Sequence, residues 1–137
     1  MFRFKATVIA LFVVGGGFVL DAANARVGQI KRTDLVQSDI SVEGHEAIQV
    51  RLDLAPAAVS IRHLHPGAEV IYVLKGSIEY HVQGEEPVTL HEGGALFIPA
   101  GVAHFAKNVG AGEASELATY IVEKGLPNFV PVLEESE

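Results

Sequence analysis

The 137-residue chain contains no cysteine. That absence excludes disulfides, thiolate metal ligands, a thiol nucleophile and a lipid-anchored lipoprotein. It has no run of basic residues: 10 Lys and Arg stand against 17 Asp and Glu. Nucleic acid and anionic membrane surfaces are therefore poor partners. There are no internal repeats, no low-complexity tract and no internal linker, so the length suits one domain. Beyond the first 25 residues, no stretch with helical periodicity reaches three turns.

The first 25 residues form a segment of their own. Arg3 and Lys5 precede an apolar run from Ala6 to Leu20, and Ala23-Asn24-Ala25 offers a small-x-small cleavage site before Arg26. This is the pattern of a cleavable secretory leader helix over 1–25. A spanning helix wants about 20 apolar residues, and Gly15-Gly16-Gly17 weakens helix within this run. The expectation is a periplasmic or secreted protein, with no stable membrane insertion once the leader is removed. Removal takes away two basic residues and one acidic one, moving the net charge from −7 to −8. Without disulfides, the domain over 26–137 must stand on its core, a metal or a partner subunit.

Beyond the leader, turn signals recur every 8–12 residues, at Pro66-Gly67, Lys75-Gly76, Glu92-Gly93-Gly94, Pro99-Ala100-Gly101 and Gly110-Ala111-Gly112 among others. Short runs rich in Val, Ile, Leu and Phe separate them. This spacing predicts an all-β sandwich or barrel. Alternation puts Ile48, Val50, Leu52 and Leu54 on one face of a strand. It puts Val59, Ile61, His63 and His65 on one face of the next. After Pro66-Gly67, Glu69 shares a face with Ile71 and Val73, opposite Val70, Tyr72 and Leu74.

The chemistry gathers in those runs. His63 and His65 continue a core row, so both point inward, about 7 Å apart along the strand. Glu69 faces apolar neighbours, which is costly for a carboxylate unless it is paired or metal-bound. His104 needs only an adjacent strand to join them. Three imidazoles and one carboxylate suit Fe(II), Mn, Ni or Zn, with open coordination positions for a ligand.

These residues fall in two motifs that resemble those of the cupin superfamily. The first motif is matched by His63-x-His65-x3-Glu69-x6-Gly76, with Ala57 where the motif begins with glycine. The second is matched throughout by Gly93-x5-Pro99-x-Gly101-x2-His104-x3-Asn108. Together they span 57–108. The resemblance implies a small antiparallel double-sheet jelly-roll barrel, with His63, His65, Glu69 and His104 holding one divalent ion and a homodimer among its assemblies. The nearest general likeness is to small quercetin-dioxygenase-like cupins.

The first functional reading is an exported metal-dependent enzyme, dioxygenase-like or Lewis-acid, acting on a small oxygen-bearing molecule. Glu69 would double as its base. The second is a non-catalytic metal-carrying module that binds or senses a small molecule. A metal-free isomerase-like cupin ranks third, because the His-His-Glu-His set is complete. Val59, Ile61, Ile71, Val73, Leu117, Thr119 and Ile121 are expected to line the interior. Asn108 is expected to cap a strand end, and Arg62, Lys107, His45, His81 and His91 to face solvent. Tyr72 is expected against the second sheet or a partner. Phe97, Phe105 and Phe129 are candidates for core or pocket mouth, and Leu126–Leu133 for an extended cover.

Overall fold

The computed structural model describes residues 29–133; the expected leader lies outside them. Ten strands follow in order: β1 (Ile30–Asp39), β2 (His45–Leu54), β3 (His63–Leu64), β4 (Ala68–Lys75), β5 (Ser77–Val82), β6 (Val88–His91), β7 (Ala95–Ile98), β8 (His104–Asn108), β9 (Ala114–Glu123) and β10 (Val130–Pro131). They form two five-stranded sheets, ordered β1-β2-β9-β4-β7 and β10-β3-β8-β5-β6. Every pairing among them is antiparallel. Among the described residues, no helix is long and apolar enough to cross a membrane.

The two sheets close a core of alternating inward residues. Leu54, Ile71, Val73, Ile78, Tyr80, Val82 and Ile98 are buried in it. On β4 the alternation is as expected: Ile71 and Val73 are buried, while Val70 and Tyr72 are exposed. Tyr72 thus faces away from the second sheet. It lies opposite Ala95 and Leu117, and the neighbouring row carries Phe97, Val70 and Thr119. Ile121, opposite Ala68, completes an uncharged outer face across β7, β4 and β9.

Strand β9 corrects an expectation. Leu117, Thr119 and Ile121 face outward, and Glu116, Ala118, Tyr120 and Val122 face in. Both faces of this run carry apolar residues, so periodicity alone does not set its phase. Pairing with β4 does. Residues directly opposite across an antiparallel ladder share a face, and Tyr120 lies opposite Glu69, Ala118 opposite Ile71, and Glu116 opposite Val73.

The run from Val59 to His65 is also less regular than expected. Only His63–Leu64 is strand, and Val59 makes an isolated bridge to Lys107. Here Ser60 Oγ accepts the Ala106 N–H at 2.9 Å, replacing a ladder bond with a side-chain one. Ile61 is 38% exposed, although it borders the interior cavity.

Asn108 ties the strand end as expected. Its amide nitrogen lies 2.8–3.0 Å from the carbonyls of Leu54, Ala55 and Gly112, and its oxygen accepts the Gly110 N–H at 3.0 Å. Just upstream of β3, Ala57 has φ 62. The left-handed backbone is kept where the motif has glycine. It costs an L-residue about 1–2 kcal/mol, partly offset by glycine's greater unfolded-state entropy. Ala57→Gly should therefore stabilise the fold by about 0.5–1 kcal/mol, read as a higher urea midpoint at unchanged slope. A lower midpoint would contradict the strain.

Candidate metal-binding site and its cavity

The turn Pro66-Gly67 returns the chain from β3 to β4, so Glu69 arrives beside the histidines. His104 opens β8, directly opposite His63 on β3. His63, His65, Glu69 and His104 are all buried. The structure brings the donor atoms of His63, His65 and His104 within 4.8 Å of one another. The Nε2 atoms of His63 and His65 are 3.2 Å apart. Glu69 Oε2 lies 3.0 Å from His104 Nε2 and 3.4 Å from His65 Nε2.

The other ring nitrogens explain why this is a donor set. His63 Nδ1 faces the Ile61 carbonyl at 2.8 Å, and His104 Nδ1 faces that of Val102 at 2.9 Å. His65 Nδ1 bonds the Asn128 carbonyl. A carbonyl oxygen only accepts, so each Nδ1 carries the proton and each Nε2 presents a lone pair inward. Those lone pairs converge on one another, and those of His65 and His104 also face Glu69 Oε2. Glu69 Oε2 is buried and completes no hydrogen bond within the protein. Such an arrangement fits a divalent ion. In its absence a proton shared between His104 and Glu69 relieves part of the crowding.

The charge states follow from this crowding. Burial lowers the His63 imidazole to about 4, against the pull of the Ile61 carbonyl. Burial alone would raise the Glu69 carboxyl, but His104 and His65 outweigh it and hold Glu69 at about 2. Burial also works against protonated His104; Glu69 and the Val102 carbonyl reverse that and raise it.

The cluster opens into a cavity of about 330 Å³, the size of a small-ligand pocket. Its walls are mostly apolar and include Ile30, Leu52, Leu54, Ile71 and Ala106. Phe129 stands at its edge, stacked on the His63 ring at 4.5 Å. Of the expected cover segment Leu126–Leu133, only Val130 and Pro131 form a strand, pairing with Leu64 and His63. The other two candidate phenylalanines lie elsewhere. Phe97 is exposed, and Phe105 stacks on His81 at 4.3 Å.

His45, His81 and His91 stay apart from the cluster, bonded to the Glu43 carbonyl, Glu79 and Ser77. The inward residues that periodicity missed are Glu116 and Tyr120, which line the cavity together with Tyr80, a member of the alternating row Ile78, Tyr80 and Val82. Tyr80 donates its hydroxyl to Glu116 Oε2. Burial pushes the Glu116 carboxyl up to about 7, against the Tyr80 hydrogen bond and with the Glu69 charge.

Glu116 therefore holds its proton better folded than unfolded. Its contribution to stability declines as pH rises from the usual carboxylate range through about 7. The loss is on the order of 3 kcal/mol in metal-free protein. His63 has the opposite sign, losing stability as pH falls towards 4, so the wild-type curve blends the two. The melting temperature of Glu116→Gln relative to wild type should climb between about pH 5 and pH 8. A constant difference would refute the assignment.

Two antiparallel sheets closed around a buried histidine cluster and a cavity have the architecture of a jelly-roll β-barrel. The family model of the cupin domain matches residues 50–120. The chain belongs to that family. It is 44% identical over 75 residues to germin-like protein subfamily 3 member 1 of Arabidopsis thaliana, a match covering 51% of this chain and 36% of that protein. Germin-like protein 1 of Brassica napus is 43% identical over 75 residues, with the same coverage of each chain. The matched region thus spans little more than a third of these curated relatives.

Among solved structures, a recombinant oxalate oxidase in complex with glycolate superposes with a TM-score of 0.61 at 25% identity, covering 74% of this chain and 54% of that one. A cupin-like protein from Thermotoga maritima gives 0.62 at 20% identity, covering 75% of each chain. The latter likeness is one of fold.

Proposed function

We propose that this chain is an exported metal-dependent cupin acting on a small oxygen-bearing molecule. His63, His65, Glu69 and His104 would hold one divalent ion, Fe(II), Mn, Ni or Zn. The observation that carries this is the tautomer pattern: three backbone carbonyls hold three Nδ1–H groups, so the three Nε2 atoms turn inward together, those of His65 and His104 beside Glu69 Oε2. Such an ion supplies a Lewis acid, or a redox centre if it is iron, with positions open to the cavity.

The protein's own residues supply the rest. The apolar walls exclude water and orient a ligand towards the cluster. Glu69 is held in its charged form by His104 and His65, which suits a ligand better than a base. Sequence identity to germin-like proteins and likeness to an oxalate oxidase support the enzymatic reading. The apolar lining also suits a second reading, a metal-carrying module that captures a small molecule without turning it over.

Metal analysis of protein purified without chelator comes first, with about one ion per chain expected. Oxygen uptake by Fe(II)-loaded protein with flavonols, catechols and β-diketones then separates the readings. Ligands that raise the melting temperature and are recovered unchanged favour capture. Metal-free protein that takes up no added ion would refute both. For assembly, we propose a homodimer through the uncharged outer face around Tyr72 and Phe97, the latter 60% exposed. Tyr72→Glu should yield a monomer by light scattering.

A further inference from the structure

We infer that Glu116, positioned by Tyr80, accepts the proton that a neutral hydroxyl ligand, a phenol or an enol, gives up on binding beside the histidine cluster. The inference rests on the metal reading above and extends it to the class of ligand.

Placement comes first. Glu116 and Tyr80 line the same cavity as the histidines. Tyr80 lies opposite Ala106, and Val82, two residues on, lies opposite His104. The tyrosine is thus one step along β5 from the cluster, about 7 Å by the strand rise. Glu116 sits across the barrel on β9 and meets Tyr80 there. The cavity therefore has two polar stations separated by apolar wall.

Charge comes second. A divalent ion is balanced by two buried carboxylates, Glu69 and Glu116. A neutral ligand that passes its proton to Glu116 leaves the cavity neutral. A carboxylate ligand brings no proton of its own, so Glu116 would have to take one up from solvent to keep the cavity neutral. Arg32, which also lines the cavity, has its Nε paired with Asp34 at 2.9 Å.

The step balances. The ligand O–H bond breaks heterolytically, and its electron pair stays on the ligand oxygen, facing the cluster. The proton goes to Glu116, directly or by exchange through the Tyr80 hydroxyl. Two carboxyls in one cavity with opposite environments divide the roles. Glu69 is held ionised by His104 and His65, whereas burial raises Glu116 to about 7, where it can take up a proton. Such a split marks acid–base pairs. The titratable groups acting on Glu116 are Tyr80 on β5, Glu69 on β4 and His104 on β8.

The test is calorimetry of catechol binding to the zinc-loaded full chain at about pH 8, where Glu116 is ionised, in two buffers of different ionisation heat. Zinc prevents oxidation, so the readout is protons released rather than turnover. Wild type should release almost none. Glu116→Gln should release about one proton per catechol and bind about tenfold more weakly. Tyr80→Phe should weaken binding while keeping the count near zero.

Equal counts in wild type and Glu116→Gln would overturn the inference, as would binding of oxalate but not catechol. If Glu116→Gln loses its fold or its zinc, the wild-type count decides: near zero supports the inference, near one overturns it. Wild-type protein that retains no zinc sinks the metal reading and this inference together. Zinc retained with equal counts sinks this inference alone.

Discussion

Gly67→Ala should destabilise the protein by about 3 kcal/mol or more. A methyl group at this position would overlap the carbonyl oxygen of Ile121 and come within 2.6 Å of Val122 Cγ1. The first obstacle is backbone of β9, held between β2 and the end of β4, so it cannot rotate aside as a side chain would. Relief requires β4 to pull away from β9, and that pairing carries Glu69 opposite Tyr120. Gly67 also lies between His65 and Glu69 in sequence, so any shift reaches both. Urea unfolding should show a much lower midpoint, and metal content should fall with it. A variant within about 0.5 kcal/mol of wild type would mean that the two strands are not packed this closely.

His63→Ala should lower metal affinity by about a hundredfold or more while leaving the barrel folded. The variant loses one inward Nε2 and the stacking partner of Phe129. It also loses an imidazole that burial forces to be neutral, so the metal-free fold suffers less than a typical core truncation. Two readouts separate these effects. Wild type should melt at a higher temperature when metal is added, because an ion that binds only the folded state stabilises it; the variant should not respond. Plasma mass spectrometry should find about one ion per wild-type chain and almost none in the variant. Full metal content in His63→Ala would remove the histidine from the donor set.

The legible parts of this molecule were those with local signatures. Alternation placed Glu69 inward on β4 because a polar residue interrupted an apolar row. His63 and His65 were readable because both lie two residues apart on one side of a short extended stretch. Glu116 was hidden by the same logic: in Ser115–Val122 both phases offer aliphatic residues, and an acid defaults to the solvent side. Only the register with β4, a long-range fact, turns it inward. Strand β1 carried no signal either, since it is a polar edge strand with a register shift between Asp34 and Val36. The Asn128 contribution was invisible for another reason. It is made by a main-chain carbonyl, which leaves no mark on residue identity.

That carbonyl has a further consequence. The segment running from Asn128 through Pro131 holds the His65 tautomer, lays Phe129 over His63 and pairs with β3. A visitor arriving from the Phe129 side must press on the same few residues that keep the imidazoles aimed. Were a ligand to enter past Phe129, admission and grip would be mechanically joined.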